Sequence, residues 1–83
     1  MRRISKSKAD EEWLKALGRH IEKQILKKGY ASVYDFWINK AGDHISRATL
    51  NFLLVGKAEP KITTLRLIAR LLGVKLSTLL DFD

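Results

Sequence analysis

The amino-acid sequence predicts an all-α protein built as a compact bundle of five short helices. Apolar residues recur three and four positions apart through most of the 83 residues, which is the spacing of one face of a helix. Glycines follow four of these stretches, at positions 29, 42, 56 and 73, where helices commonly stop. No stretch combines apolar–polar alternation with turn residues, as strands do. A chain of this length forms one domain with a modest hydrophobic core.

The first helix is predicted to begin at Asp10 and to end near Lys28, just before Gly29. Acidic residues at its start and basic residues at its end are favourable to the helix dipole. Its core-facing positions are Leu14, Leu17, Ile21 and Ile25. Residues 1–8 are predicted to form a flexible basic arm and residues 9–83 the folded domain; the alternative for the arm is a tail without a role. The cations of the arm are Arg2, Arg3, Lys6 and Lys8.

The second and third helices are predicted on either side of a turn at residues 42–44. Ser32 begins the second helix with a sequence typical of a capping box, and its apolar side consists of Phe36, Trp37 and Ala41. Ser46 is predicted to cap the third helix, which ends at Gly56. The core face of the third helix is predicted to consist of Leu50, Leu53 and Leu54.

The last two helices follow a basic loop at residues 57–61. Thr63 or Thr64 is predicted to cap the fourth helix, which ends at Gly73. Its core-facing residues are Leu65, Ile68, Ala69 and Leu72. A short fifth helical segment is predicted at residues 76–82.

Composition and charge exclude several classes of protein. The chain has no cysteine, which excludes disulfides and thiolate metal sites. No apolar run approaches the roughly 18 residues of a membrane span, and the N-terminus lacks the apolar core of a secretory signal. We therefore expect a cytoplasmic protein outside the membrane. The net charge of +7 favours a polyanionic partner, and charge alone does not choose between nucleic acid and anionic lipid.

The sequence predicts no catalytic, metal or cofactor site. The two histidines, His20 and His44, have no partner at a metal-ligand spacing. Asp43, His44 and Ser46 stand together in one turn, whereas a catalytic triad brings its residues from separate elements. Ser46 is better explained as a helix cap. We therefore expect a protein that is not an enzyme.

The third helix has more apolar residues than one core face needs. Opposite its leucines lie Ala48, Phe52 and Val55, flanked by Arg47, Thr49 and Asn51. Either the helix is buried all round, or Phe52 belongs to a surface that only a partner covers. Arg47 favours the second interpretation, because the first helical turn is where a long donor reaches a base edge or a phosphate. Apolar side chains such as Ala48 and Phe52 can contact thymine methyl groups in the major groove.

The surroundings of the third helix are also suited to DNA. Ser32 and Tyr34 lie at the start of the preceding helix, where free backbone N–H groups favour a phosphate. Lys57 and Lys61 flank the other end of the third helix as point charges.

Two adjoining segments resemble a known family. "ISRATLNFLLVGKAEP" and, just after it, "ITTLRLIARLLGV" are similar to the helix-turn-helix family of lambdoid phage repressors and Cro proteins. That family shows a recognition helix ending in Gly, a basic loop with Pro, and a Thr-Leu-led helix ending in Leu-Gly-Val. The resemblance extends over residues 17–80, and it implies a lambda-repressor-like DNA-binding domain.

The resemblance, together with the residue pattern, assigns contacts to double-stranded DNA. Base contacts are expected from Arg47, Ala48, Asn51 and Phe52. Phosphate contacts are expected from Ser32, Val33, Tyr34, Ser46, Thr49, Lys57 and Lys61. In this family the C-terminal region often forms a two-fold interface, so a homodimer is expected through Leu76, Leu79, Leu80 and Phe82; the alternative is that these residues pack on their own subunit.

The chain departs from the family pattern at four places. The turn at residues 42–46 is about two residues longer than usual. Ile38 stands where the family prefers a small alanine against the recognition helix. Leu54 stands where an acidic residue is common, and Phe52 replaces a residue that is usually polar. These departures concern the docking angle and the base contacts.

Two further patterns have ordinary structural explanations. Lys15, Arg19, Lys23 and Lys27 form a basic row along the first helix, which is either a solvated face or an additional phosphate-binding surface. The aromatic residues Trp13, Tyr30, Phe36 and Trp37 are better explained as core packing than as base-stacking platforms.

The sequence therefore predicts a sequence-specific DNA-binding regulator, a repressor of phage, plasmid or other prokaryotic type. The alternative is a protein-interaction module, such as an antitoxin or anti-repressor, that uses the apolar side of the third helix to bind a protein partner. A membrane-surface helix is disfavoured because the first helix has a core face.

Overall fold

The computed structural model describes residues 7–82, and this part of the chain contains five α-helices, one π-helical segment and no β-strand. The helices are α1 (Lys8–Lys27), α2 (Val33–Phe36), α3 (Arg47–Leu54), α4 (Ile62–Leu72) and α5 (Leu76–Leu80). The π-helical segment, Trp37–Ala41, continues directly from α2. The predicted all-α fold is confirmed.

The long first helix begins two residues earlier than the sequence predicts. Ser7 is its N-cap, and the Ser7 hydroxyl accepts a hydrogen bond from the backbone N–H of Asp10 at 3.1 Å. Lys8, assigned from the sequence to the basic arm, is therefore the first residue of α1. The other arm cations, Arg2, Arg3 and Lys6, lie outside the described residues.

The core has the composition that the helical spacing predicts. The four predicted positions of α1 and the four of α4 are all buried, and Phe36, Leu50 and Leu79 lie between them with at most 1% of their surface exposed. Leu54, predicted to lie in the core, is only half-buried. Helix α1 packs against α2, α3 and α5, and α4 packs against α5 and the π-helical segment. The site described below is therefore held mainly by α1.

Two glycines allow α1 to cross close to the end of α3. A Cβ atom added at Gly18 would collide with the Leu54 carbonyl oxygen, so only glycine permits this approach. Gly56, just after α3, has a φ of +77°, and a Cβ atom there would lie 2.8 Å from the Lys15 backbone nitrogen. The end of α3 is thus fixed against the middle of α1.

The ends of the last two helices differ from the predictions. Lys61 is the N-cap of α4 and makes no side-chain capping bond, whereas Thr63 and Thr64 lie inside the helix. Helix α5 ends at Leu80 rather than at Phe82. Gly73 ends α4 with a φ of +72°, as expected for a C-terminal glycine. No helix among residues 7–82 is both long and apolar enough to span a bilayer.

Candidate nucleic-acid interface

The start of α3 is held by a local cap. The Ser46 hydroxyl accepts a hydrogen bond from the backbone N–H of Thr49 at 3.1 Å and donates one to the Thr49 hydroxyl at 2.8 Å. Ser46 has extended backbone angles while the following residues are helical. This is the capping geometry that the sequence predicts, and it fixes the direction in which the first turn of α3 points.

Helix α3 leaves one side open to solvent. Leu50 and Leu53 are buried, whereas Arg47, Ala48, Thr49, Asn51 and Phe52 are all exposed. The Phe52 side chain keeps 51% of its surface accessible. The interpretation in which α3 is buried all round is therefore wrong. Val55, at the end of the same side, is exposed as well.

Arg47 is brought into contact with the preceding helix. Its guanidinium carbon lies 4.6 Å from the centre of the Tyr34 ring, a distance at which the cation is attracted to the face of the ring. Both side chains are exposed. A residue predicted to contact bases and one predicted to contact phosphate therefore form a single cluster.

The start of α2 is closed by its own side chains. The Ser32 hydroxyl accepts from the backbone N–H of Asp35 at 3.0 Å, and the Asp35 carboxylate accepts from the backbone N–H of Ala31 at 2.9 Å. Asn39 donates to the same carboxylate at 2.7 Å. These bonds use the backbone N–H groups of Ala31 and Asp35, on either side of Val33 and Tyr34. Ser32 and Tyr34 are exposed, and Val33 is half-buried.

The connection between α2 and α3 is built around Trp37. The indole Nε1–H of Trp37 donates to the Ile45 carbonyl oxygen at 2.8 Å. The Trp37 carbonyl accepts from the backbone N–H of Gly42 at 2.6 Å, and the Ala41 carbonyl accepts from His44 and Ile45 at 2.9 Å each. The π-helical segment and these bonds connect α2 to α3 through a continuous series of hydrogen bonds.

Ile38 is exposed to solvent rather than buried in the core. It is 55% exposed, while Ala41, three residues later, is fully buried. The π-helical segment is five residues long, and its wider turn gives its side chains directions that differ from those of an ordinary α-helix. Ile38, which stands where the family is expected to have a small alanine, is therefore not buried, whereas the small residue Ala41 is.

Helix α2 and the π-helical segment are thus connected to α3, which is capped at its start and exposed on one side. The loop after α3 has the exposed lysines Lys57 and Lys61. A helix-turn-helix family model matches residues 40–79. Comparison with curated proteins gave no match, and neither did comparison with solved structures. Residues 40–79 therefore contain a helix-turn-helix of the Cro/CI-like type. The match supports a DNA-binding transcription regulator of this type.

Within this helix-turn-helix domain, the predicted lysines lie at the end of α3 and the start of α4. The backbone N–H of Lys57 donates to the Phe52 carbonyl at 3.0 Å, which holds the loop against the end of α3. Lys61 is the N-cap of α4. Both lysine side chains are exposed, as are the four cations of the basic row on α1.

The C-terminal residues predicted to form a dimer interface mostly pack within the same chain. Leu79 is fully buried, so it is unable to contribute to an interface as the sequence predicts. Phe82 packs on Trp13 and His20, with ring centres 5.2 and 5.5 Å apart. The carbonyl oxygen of Thr78 lies 2.7 Å from His20 Nε2. Leu76 is partly buried against the core, and Leu80 alone of the four predicted residues is exposed.

The aromatic residues mostly support the packing interpretation. Phe36 is fully buried, and the half-buried Tyr30 meets it edge-on with ring centres 5.2 Å apart. Trp37 is half-buried and bonded as described above. Trp13 differs, because 40% of its surface is exposed beside Phe82.

Sequence reasoning missed three parts of this site. The Trp37–Ile45 bond and the Gly18–Leu54 approach each join residues whose contact depends on the fold. The Arg47–Tyr34 contact spans two helices in the same way. For the second of these, the sequence contains one signal: Gly18 lies in the middle of the first helix, and a glycine there can mark a place where two backbones approach closely.

Proposed function

We propose that this protein is a sequence-specific double-stranded DNA-binding regulator of prokaryotic type that represses transcription as a homodimer. The observation that carries the proposal is the open side of α3, where Arg47, Ala48, Asn51 and Phe52 are exposed while the helix is anchored from behind by Leu50 and Leu53. A helix fixed in this way can enter the major groove with its first turn near the base edges.

The roles within the site follow from the chemistry of the side chains. Arg47 and Asn51 carry donors that can distinguish base edges, and Ala48 and Phe52 present apolar surface to thymine methyl groups. Phosphate contacts come from lysines and hydroxyls around the helix: Ser32, Tyr34, Ser46, Thr49, Lys57 and Lys61, together with the backbone at Val33. These contacts position the protein and supply most of the salt-dependent affinity.

The N-terminal arm is proposed to add non-specific affinity. Arg2, Arg3 and Lys6 lie outside the described residues, and their charge would bring them to phosphates or to the minor groove. Deleting residues 1–6 should weaken binding to all sequences by a similar factor and leave the preferred sequence unchanged.

The test is selection of bound DNA from a labelled random pool, with the salt concentration recorded. The proposal expects enrichment of a palindrome with half-sites about one helical turn apart, and affinity that falls steeply as salt rises. Repression is tested separately, by placing the selected site over a promoter in a reporter assay. Absence of DNA binding even at low salt would contradict the proposal.

A second candidate function is supported by the apolar residues around the interface. Phe52, Val55 and Ile38 each keep more than half of their surface exposed, which is more than DNA recognition alone requires. A protein partner, as for an antitoxin or anti-repressor, would cover such a surface. The second function replaces the first if two results are obtained. The random pool yields no preferred sequence, and the wild-type chain captures one specific protein. Phe52→Gln abolishes this capture, whereas the control variant Leu26→Gln retains it.

A further inference from the structure

An apolar groove of about 470 Å³ lies between the first half of α1, the loop before α4 and the end of α5. Three large exposed side chains, Trp13, Ile62 and Leu80, line it. The buried residues that line it are Leu14, Leu17 and Leu65. No residue of α2, the π-helical segment or α3 belongs to this groove. The groove is therefore a second apolar surface, distinct from the proposed DNA interface.

The charge of this groove is opposite to that of the chain. Among the described residues, the charged ones that line it are Asp10 and Glu59, both exposed carboxylates, whereas the chain as a whole carries +7. Two carboxylates repel a phosphate backbone and attract cations. The groove therefore suits an occupant that combines apolar and basic side chains.

The chain has a segment of this chemistry immediately before α1. Residues 1–6 read MRRISK, with Arg2, Arg3 and Lys6 around the apolar Ile4 and with no acidic residue. They lie outside the described part of the chain, which begins at the N-cap Ser7. The backbone N–H of Asp10 is bonded to the Ser7 hydroxyl, so the segment is joined to the chain beside one of the two carboxylates of the groove.

Residues 1–6 are also long enough to reach the whole groove. The part of α1 that lines the groove extends from Asp10 to Leu17. At a rise of about 1.5 Å per residue, Leu17 lies roughly 15 Å from Ser7 along the helix axis, whereas six extended residues span up to about 20 Å. A segment tethered so closely has an effective concentration on the order of millimolar, so a weak contact is sufficient for docking.

We propose that residues 1–6 dock in the acidic groove of their own chain when no DNA is bound. Ile4 packs against Ile62 and the other exposed apolar side chains of the groove, and the cations beside Ile4 lie near the two carboxylates. DNA competes with the groove for the same cations, so docking lowers the affinity for DNA by withholding the arm. The competition rests on the proposed function, whereas the docking itself does not.

Paramagnetic broadening of NMR signals in the full chain tests the docking. The chain has no cysteine, so Ser5→Cys provides a single attachment site for a nitroxide label. The amide signals of Ile62 and Leu80 should lose several-fold more intensity than that of Arg19, which is exposed outside the groove and lies on the opposite side of α1 from Leu17. Equal broadening of the three signals would overturn the docking.

A mixed sample shows whether the occupant belongs to the same chain. One chain carries the nitroxide, and another, without the nitroxide, carries the isotope that NMR detects. Docking within one chain leaves the signals of the isotope-labelled chain unbroadened. Broadening of Ile62 in the mixture as strong as in the singly labelled chain would overturn the inference, because the segment would then bind a second copy.

Two substitutions test the competition with DNA without changing the net charge. Ile4→Gln removes the apolar contact from the segment, and Ile62→Gln removes it from the groove. For a segment docked about two-thirds of the time, either variant should bind non-specific DNA about threefold more tightly than wild type, and the double variant should bind no more tightly than either one. The matched control is Leu26→Gln, because Leu26 is 45% exposed but lies outside the groove. It should leave DNA affinity unchanged, and circular dichroism checks that all variants are folded.

The two experiments separate failure of the inference from failure of the proposed function. Selective broadening at the groove in a chain that binds no DNA would count against the proposed function and support the docking. DNA binding together with equal broadening of Ile62 and Arg19 would overturn the docking and leave the proposed function intact. Additive effects of Ile4→Gln and Ile62→Gln would overturn the competition, because each residue would then act on DNA independently.

Discussion

Arg47 and Lys57 carry the same charge at opposite ends of α3, and the proposal gives them different roles. Arg47 in the first turn reads a base, so Arg47→Ala should cost about 1–3 kcal/mol and relax the preference at one position of the site. Lys57 beyond the helix contacts phosphate, so Lys57→Ala should weaken all sequences by a similar factor. Binding of each variant to the selected site and to its single-base variants measures both effects. If the two variants weaken all sequences alike, the role given to Arg47 is wrong.

Tyr34 can act through its hydroxyl or through its ring, and two substitutions separate these roles. The ring lies 4.6 Å from the Arg47 guanidinium, an attraction worth about 0.5–1 kcal/mol at an exposed site. Tyr34→Phe keeps the ring and should retain the base preference at the Arg47 position. Tyr34→Leu removes the ring and should relax that preference.

The control for Tyr34 is a double-mutant cycle with Arg47→Ala. Once Arg47 is absent, Tyr34→Leu should cause no further change in base preference. A change of the same size with and without Arg47 would mean that Tyr34 acts on DNA independently. A large loss in Tyr34→Phe would indicate that the hydroxyl is the functional group.

At the scale of elements, the position of α3 depends on its contact with α1. Gly→Ala in a helix interior ordinarily stabilises by about 0.5–1 kcal/mol. Gly18→Ala should do the opposite, because the new Cβ atom meets the Leu54 carbonyl oxygen, which belongs to backbone and is unable to move alone. Overpacking of this kind typically destabilises by about 1–3 kcal/mol.

Urea denaturation measures this effect, with Glu22→Ala as the control on an exposed position of the same helix. The control should change the free energy of unfolding by less than about 0.5 kcal/mol. An unchanged or raised stability of Gly18→Ala would show that the two helices are not in close contact in solution.

The elements that sequence could predict are those set by local rules. The apolar spacing of α1 and α4 predicts their buried residues, because one helix face is enough to define a core stripe. Ser46 was found because a cap bonds only three residues ahead. The predicted start of α4 at Thr63 or Thr64 is wrong, because the N-cap is Lys61, which makes no side-chain capping bond, whereas threonine is a residue type that commonly caps helices.

The parts of the site that sequence could not predict depend on contacts between elements. The π-helical segment Trp37–Ala41 is followed by a bond from Trp37 to Ile45, eight residues away in the sequence. Neither this bond nor the exposure of Ile38 is indicated by the pattern of neighbouring residues. The exposed side of α3 is one of two alternatives that the sequence predicts. The pattern shows that Phe52 does not belong to the face of Leu50 and Leu53, but it does not show whether another part of the chain covers the Phe52 side chain.

At the scale of the whole molecule, two surfaces of different charge are combined in one small domain. Helix α3 is followed by the exposed lysines Lys57 and Lys61, while the apolar groove that Trp13 and Ile62 line has two carboxylates, Asp10 and Glu59, as its charged lining residues. Long-range attraction to DNA depends on the net charge of +7, whereas direct phosphate contacts depend on where each cation lies. These two contributions differ in how they respond to salt and to single substitutions.

Salt dependence therefore tests which cations contact DNA directly. Lys57→Gln and Lys23→Gln lower the net charge equally, so their long-range effects match. Each phosphate contact adds about 0.9 to the slope of log affinity against log salt. Lys57→Gln should reduce the slope by about that amount, whereas Lys23→Gln should leave it unchanged if the basic row of α1 is a solvated face.

An equal reduction in both variants would place the row of Lys15, Arg19, Lys23 and Lys27 among the phosphate contacts. An unchanged slope in Lys57→Gln would remove Lys57 from them.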